Sequence, residues 1–360
     1  MKTKRHPISD VRRKPTSRSG TVVLDRVKIL RLMTNRGFSK YALASEAEIE
    51  RNTLNRALRG DGVFPETAKV IADALKVTVE QLRPDAGESD DEQSFQLPPT
   101  GEWQPIELIS PWMTASNGLQ FRVCRMQHRE FTEWVGRGKF YDLLGVPTDQ
   151  QSQLHEHLLR HTRVTKLVED SPHVARTLSV TPVSHRAAWW VIDQWIGTTT
   201  LAQRLESQPV WPREALPRLM REIAFGLQAL HRVGIVFREL APSRVLLAES
   251  DGRVVLTDFE LAKLLDGRPT VSAEWPDDPY RAPEIDSGEA TVAADIFSWA
   301  SVLIRASTGA LPVAADDTTA LKNARLPLAV TKLAASCLSL NAAKRPRTID
   351  DILDVLSHWN

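Results

Sequence analysis

The chain of 360 residues is short of cysteine, tyrosine and glycine, with 2, 3 and 17 of each. Cys124 and Cys337 lie far apart in the sequence, which excludes a disulfide framework or a cysteine-bound metal cluster and points to a reducing compartment. No run of 18 apolar residues occurs, and the N-terminus lacks the apolar core of a secretory leader. The reading is a cytoplasmic protein without a membrane span. Neither sign of charge dominates, since 46 Lys/Arg against 45 Asp/Glu leave a net +1. The placement is uneven, however. Lys2, Lys4, Arg5, Arg12, Arg13, Lys14 and Arg18 crowd the first twenty residues, and DAGESDDE fills 85–92. A basic arm of this kind is either a solvated tail or a contact for an anionic partner. Length and a hydrophobic share of 42% are enough for two or three buried cores.

Residues 21–83 read as a small helical bundle. VKILRLM opens an amphipathic helix with Val27, Leu30 and Met33 at helical spacing. Ser39 is an N-cap for a helix over 40–46, with Leu43, Ala44 and Ala47 inward. A tight turn at Glu48 and Ile49 leads to a second helix, which starts near Glu50 and stops before Gly60, a C-cap. PETAKVIADALKV supplies a further helix with Ala68, Ile71, Ala72 and Leu75 inward, and TVEQL closes the bundle. The Ser start, Leu43-Ala44, Ala47, Ile49, Arg51, Thr53 and Arg59-Gly60 make this stretch resemble the helix-turn-helix of lambda-repressor and Cro-like bacterial regulators. The resemblance implies double-stranded DNA as partner. Arg51, Asn52, Thr53, Asn55 and Arg56 would face base edges, and Ser39 and Lys40 would face phosphate. It also implies a homodimer on two operator half-sites. Glu48, where Gly is common, and Glu50 depart from the pattern and place carboxylates toward a polyanion. A bundle used only for protein contacts is the alternative.

Residues 84–103, PDAGESDDEQSFQLPPTGEW, are acidic and proline-punctuated, and read as a flexible linker. Beyond it, residues 231–265 read HRVGIVFRELAPSRVLLAESDGRVVLTDFELAKLL, and PYRAPE follows at 279–284. These resemble the catalytic loop, metal-binding turn and activation-segment end of a protein kinase, which run H-R-D-L-x-x-x-N, D-F-G and A-P-E. The frame keeps Arg238, Asp258 and Phe259. Phe237 stands for the His, Glu239 for the Asp, Ala241 for the Lys, Arg244 for the metal-holding Asn and Glu260 for the Gly. Glu284 paired with Arg345, and Asp295 in ADIFSWA, are the scaffold residues the resemblance implies. Over 104–125 the only glycine is Gly118, so no G-x-G-x-x-G covers a phosphate site. Arg125 is assigned to the strand-Lys position. Counting back from Pro172 puts Thr162, not a carboxylate, at the place of its helix partner. WWVIDQWIG resembles the strand and hinge between lobes, with Ile192 guarding the cleft and Asp193 and Gln194 on the hinge. CRMQHRE followed by KFYDLLGVP also resembles the small lobe of kinase proteins from some bacterial phage-defence systems.

The expected fold is multidomain. An all-α helix-turn-helix bundle (21–83) follows a basic arm (1–20). After the linker (84–103) comes a bilobal α+β protein-kinase-like domain (104–360), divided into a small lobe (104–194) and a large lobe (195–360). The expected function is a DNA-binding transcriptional regulator of a defence or stress operon, with a catalytically inactive kinase-like domain as sensor or docking module for a partner protein or ligand. No cofactor or metal is expected. If a nucleotide binds, Arg125, Asp193 and Asp258 would hold ATP, with Mg²⁺ on Asp258. The alternative is an atypical Ser/Thr kinase using Glu239 as base and Asp258 for the metal. Thr270 and Ser272 fall in the activation-segment region, as candidates for phosphorylation by another kinase.

Overall fold

The computed structural model describes residues 21–36, 38–84, 97–114, 120–143, 146, 148–183, 187–259, 262–264, 279–287, 291–311 and 317–359. They fall into two compact units, the first made of the described residues up to Pro84 together with Val146 and the second of the rest. In the first, α1 (Arg26–Asn35), α2 (Lys40–Glu46), α3 (Arg51–Leu58), α4 (Pro65–Ala74) and α5 (Val79–Leu82) follow one another. Local chemistry sets their ends. The Ser39 hydroxyl accepts from the Ala42 amide at 3.0 Å and Thr78 with Gln81 forms a reciprocal capping box on α5, each satisfying amides that a helix start leaves unpaired, while Pro65 starts α4 with no N–H to satisfy. Leu43, Ala44, Leu54, Ala57, Ala68, Ile71, Ala72 and Leu75 meet in one core. In α1 the buried face centres on Ile29, Leu32 and Met33, with Leu30 at its margin. The α2–α3 turn places Glu48 at φ +52°, and Gly60 ends α3 at φ +77°.

In the second unit β1 (Trp103–Leu108), β2 (Met113–Thr114), β3 (Gln120–His128) and β4 (Val135–Asp142) precede α6 (Thr148–Leu167), and β5 (Thr177–Pro182) and β6 (Ala188–Gln194) follow it. The antiparallel sheet runs β1-β3-β4-β6-β5, with β2 on β3. Register places Arg125 opposite Arg137, and Arg137 opposite Asp193. The three side chains therefore share one face. Two residues on, Lys139 shares it as well. The opposite face is tight. A Cβ at Gly136 would meet Ile192 Cγ2 at 2.7 Å, and one at Gly138 would meet Met126 Cγ at 2.5 Å. The end of the expected linker belongs to this sheet. The Trp190 indole donates to the Pro98 carbonyl at 2.9 Å, and the Trp103 amide donates to the Thr100 hydroxyl at 2.8 Å.

The rest of the unit is mostly helical: α7 (Leu201–Ser207), α8 (Leu216–Arg232), β7 (Ile235–Val236), β8 (Val245–Leu247), β9 (Val254–Leu256), β10 (Lys263–Leu264), α9 (Val292–Thr308), α10 (Asp317–Ala324), α11 (Leu328–Cys337) and α12 (Ile349–Ser357). Helix α8 turns Leu216, Leu219, Met220, Ile223, Leu227 and Leu230 into the core, and α9 is buried almost all round, as its apolar composition requires. Among the described residues no helix is long and apolar enough to cross a membrane.

Candidate functional site

In the first unit α2 and α3 form the two-helix element expected from the sequence. Arg51, Asn52 and Arg56 are exposed, and Thr53 and Asn55 are half-buried, while Leu54, Ala57 and Leu58 face the core. Ser39 and Lys40 at the start of α2 are exposed as well. The Arg56 guanidinium donates to the Gly62 carbonyl at 3.1 Å, so Arg56 is steadied against the α3–α4 loop. Among the described residues Tyr41, on α2, is one of the most exposed large apolar side chains.

In the second unit five charged side chains converge beneath the sheet. Asp258 sits just after β9 with φ +69°. Its Oδ1 is 3.0 Å from Lys139 Nζ and 3.6 Å from Arg137 Nη1, both on β4. Its Oδ2 accepts from Arg244 Nη1 at 3.0 Å. Arg244 Nη2 reaches Glu239 Oε1 at 3.4 Å. All five are buried or nearly so. Lys139 is further enclosed by aromatic faces, with Nζ 4.5 Å from the Phe121 ring centre and 5.2 Å from that of Tyr141. Burial alone would raise the Asp258 carboxyl. Lys139, Arg137 and Arg244 outweigh it and hold the group well below the usual carboxylate range. Both carboxylate oxygens are thus covered by cations of the chain. A divalent metal needs oxygen donors in place of these cations, so the arrangement does not fit one. Among the described residues no cluster of His, Cys, Asp and Glu could hold a metal elsewhere.

Helix α6 meets the same turn through a histidine. His161 Nδ1 accepts from the Phe259 amide at 3.0 Å, which leaves Nε2 as the protonated nitrogen, 2.9 Å from Asp193 Oδ1. Thr177 donates to the same oxygen at 2.8 Å. Glu156, the carboxylate nearest along α6, lies on the exposed face against Arg163. Below, the Phe237 and Phe259 rings pack 5.0 Å apart. Asp295 accepts the amides of Phe237 and Arg238 at 2.8 and 2.7 Å and meets His231 at 2.7 Å. That clamp holds Arg238 at φ +72°, a conformation costly for a side chain larger than glycine. Arg345 forks onto both oxygens of Glu284 at 2.5 and 2.9 Å.

Residues 144–358 match the protein kinase domain family. The chain belongs to that family. Residues 28–83 of this kinase-family chain match the Cro/C1-type HTH DNA-binding domain. Its relatives include the serine/threonine-protein kinase AfsK of Streptomyces coelicolor, 31% identical over 216 residues, covering 56% of this chain and 27% of AfsK. AfsK of Streptomyces griseus is 34% identical over 169 residues, covering 45% and 21%. The serine/threonine-protein kinase mos of Xenopus laevis is 32% identical over 230 residues, covering 60% and 61%. The matches thus span about a quarter of the AfsK proteins and less than two thirds of mos.

Two cleft assignments change. Arg125 does not occupy the strand-Lys position. It lies one strand away on β3, at 3.8 Å from Glu107 and with its guanidinium 4.7 Å over the Trp195 ring. Lys139 on β4 is the cation that reaches Asp258. Asp193 is not on a hinge. It is the second-last residue of β6, buried and turned toward α6, while Ile192 points to the opposite face of the sheet. Two glycines flanking Arg137 hid β4 from a reading by propensity, since glycine is depleted in strands. The alternation Arg137, Lys139, Tyr141 was the available signal. Glu260, Thr270 and Ser272 lie outside the described residues. Burial pushes the Cys124 and Cys337 thiols up to about 12, so neither supplies a thiolate at neutral pH.

Proposed function

We propose that this protein is a transcriptional regulator. It binds operator DNA as a homodimer through α2 and α3, and its kinase-like domain acts as a sensor or docking module without transferring phosphoryl groups. The observation that carries the second half is Arg244. The family frame puts a metal-holding Asn there, and Arg244 instead donates to Asp258 at 3.0 Å. Phosphoryl transfer is mostly positioning plus charge neutralisation by bound metal. Glu239 has the carboxylate needed for a base, but one methylene further out and against Arg244. A misplacement of about 1 Å costs on the order of 100-fold. Ala241 brings no cation to the loop. The DNA half rests on the Cro/C1-type match and on the exposed Arg51, Asn52 and Arg56.

The test is a gel shift with DNA from upstream of the protein's own coding region, with and without ATP and Mg²⁺, alongside label transfer from ATP. A shift without label transfer is expected. Arg51→Ala should cost roughly 1–3 kcal/mol of operator binding. Arg56→Ala should cost less, because Arg56 is partly engaged by Gly62. No shift on any upstream fragment would overturn the regulator reading. Label transfer abolished by Asp258→Asn would instead install an atypical Ser/Thr kinase.

A further inference from the structure

The first unit carries a groove of about 530 Å³ between the α2–α3 turn and α4. Its floor is apolar. Ala47, Ile49 and Ala74 line it, and Val70 lies open at 37% exposed. Its rim is acidic. Glu46 and Glu48 stand on the turn side, and Glu66 and Asp73 on α4. All four carboxylates are exposed, and among the described residues none of them makes an ion pair. Lys69, on the same helix, does not line the groove and pairs with neither Glu66 nor Asp73. Four like charges around an apolar floor repel one another. They complement a segment that is cationic and partly apolar.

The chain delivers such a segment to one end of the groove. Val22 and Val63 exchange amide-to-carbonyl hydrogen bonds at 2.7 and 2.9 Å. Thr21 sits so close to Gly62 that a Cβ there would strike its hydroxyl. Residues 1–20 therefore join the bundle beside Val63, three residues before Glu66. Glu66, Val70 and Asp73 then follow on one side of α4, over about 10 Å of helix. An extended chain covers that distance in about three residues. Arg18 lies three residues before Thr21, and Lys14, Arg13 and Arg12 lie seven to nine before it. Val11 and Pro15 flank that basic run and supply the apolar share.

We propose that the acidic groove is the docking site of this chain's own basic arm, residues 1–20. Arg18 would meet Glu66 and Asp73, and the 12–14 run would meet Glu46 and Glu48. Each exposed pair is weak alone. The tether supplies the high effective concentration that lets several of them act together. DNA phosphates draw on the same cations, so operator and groove compete for the arm. The competition rests on the regulator reading above, whereas the docking does not.

The test is carbodiimide cross-linking of the full chain at low salt, which joins a lysine amine directly to a carboxylate in contact with it, read by peptide mass spectrometry. Lys14 is one reactive amine, and Arg18→Lys places a second nearer the groove. Cross-links from either to Glu46, Glu48, Glu66 or Asp73 are expected. Glu66→Gln/Asp73→Asn, two exposed changes that leave the core intact, should lower the remaining yield at Glu46 and Glu48 about fivefold, since two pairs are lost. No cross-link to the groove, cross-links confined to the acidic residues of 85–92, or cross-links joining heavy-isotope to light chains in a mixed sample would each overturn the proposal. An unchanged yield in the double variant would do the same. Upstream DNA that gives a gel shift should abolish the groove cross-links, and their persistence in that complex would overturn the competition. If no fragment shifts, the regulator reading fails while the cross-links of the free chain still decide the docking.

Discussion

Asp258 concentrates the electrostatics of the cleft. Removing one partner of a buried charge set leaves the others uncompensated, at about 3–5 kcal/mol. Asp258→Asn should therefore destabilise the kinase-like domain by that order, measured by urea unfolding. The pH dependence follows from the direction of its shift. The folded pKa lies below the unfolded value of about 3.9. The carboxylate's contribution is therefore complete above that value and is lost as pH falls through the folded pKa. Stability from this group should be flat from about pH 8 to 5, with its share of acid unfolding confined to below about pH 4. A fall in stability centred near neutrality that disappears in Asp258→Asn would contradict this assignment. Asp258, Arg244, Asp295 and the Glu284–Arg345 pair were legible in the sequence because each sits at a fixed offset within a motif. Lys139, Arg137 and His161 were not. Their contacts with the 258–259 turn span about a hundred residues of chain, and no periodicity records a contact of that range.

At the level of elements, helix α8 and the α2–α3 turn make opposite demands on glycine. Ala is favoured over Gly inside a helix by about 1 kcal/mol. At Gly226, however, a Cβ would lie 2.7 Å from Leu256 Cδ1 and 3.0 Å from the His173 carbonyl. Overpacking costs about 1–3 kcal/mol, so Gly226→Ala should lower the unfolding midpoint of the domain rather than raise it. Glu48 is the converse. At φ +52° a side chain costs roughly 1–2 kcal/mol, while glycine's extra freedom in the unfolded chain costs roughly 0.5–1 kcal/mol. Glu48→Gly should stabilise the first unit by about 0.5–1 kcal/mol, read as slower amide exchange across α2 and α3. The helices of that unit were legible because cap, period and turn residue agree. The small-lobe sheet was legible only in part. The family match itself begins at residue 144, after β1 to β4, so the strands that carry Arg125, Arg137 and Lys139 are where sequence signal is thinnest.

For the whole molecule, the uneven charge of a nearly neutral chain has a measurable consequence. If the basic arm joins the operator complex, binding falls steeply with salt, with a log–log slope of about −0.9 per phosphate neutralised. Deleting residues 1–20, which carry seven Lys/Arg, should flatten that slope by several units. An unchanged slope would leave the arm out of the complex. The order of modules was readable from helical spacing and caps in 21–83, the acidic composition of 84–103 and the loop motifs of 231–284. The linker's end was not, because Pro98 and Trp103 look like tether until Trp190 and Thr100 are seen to hold them.

The Asp295 clamp carries a consequence for how such a chain changes over generations. Its two carboxylate oxygens grip main-chain amides at 237 and 238, and main-chain amides do not depend on which side chains the loop carries. The backbone path at 237 and 238 is therefore held without help from the side chains at 239–244. Position 295 does the holding. A saturation library selected for folding alone should tolerate drift at the exposed Ser243, much less at the core residue Leu240 or the nearly buried Arg244, and allow almost none at 295.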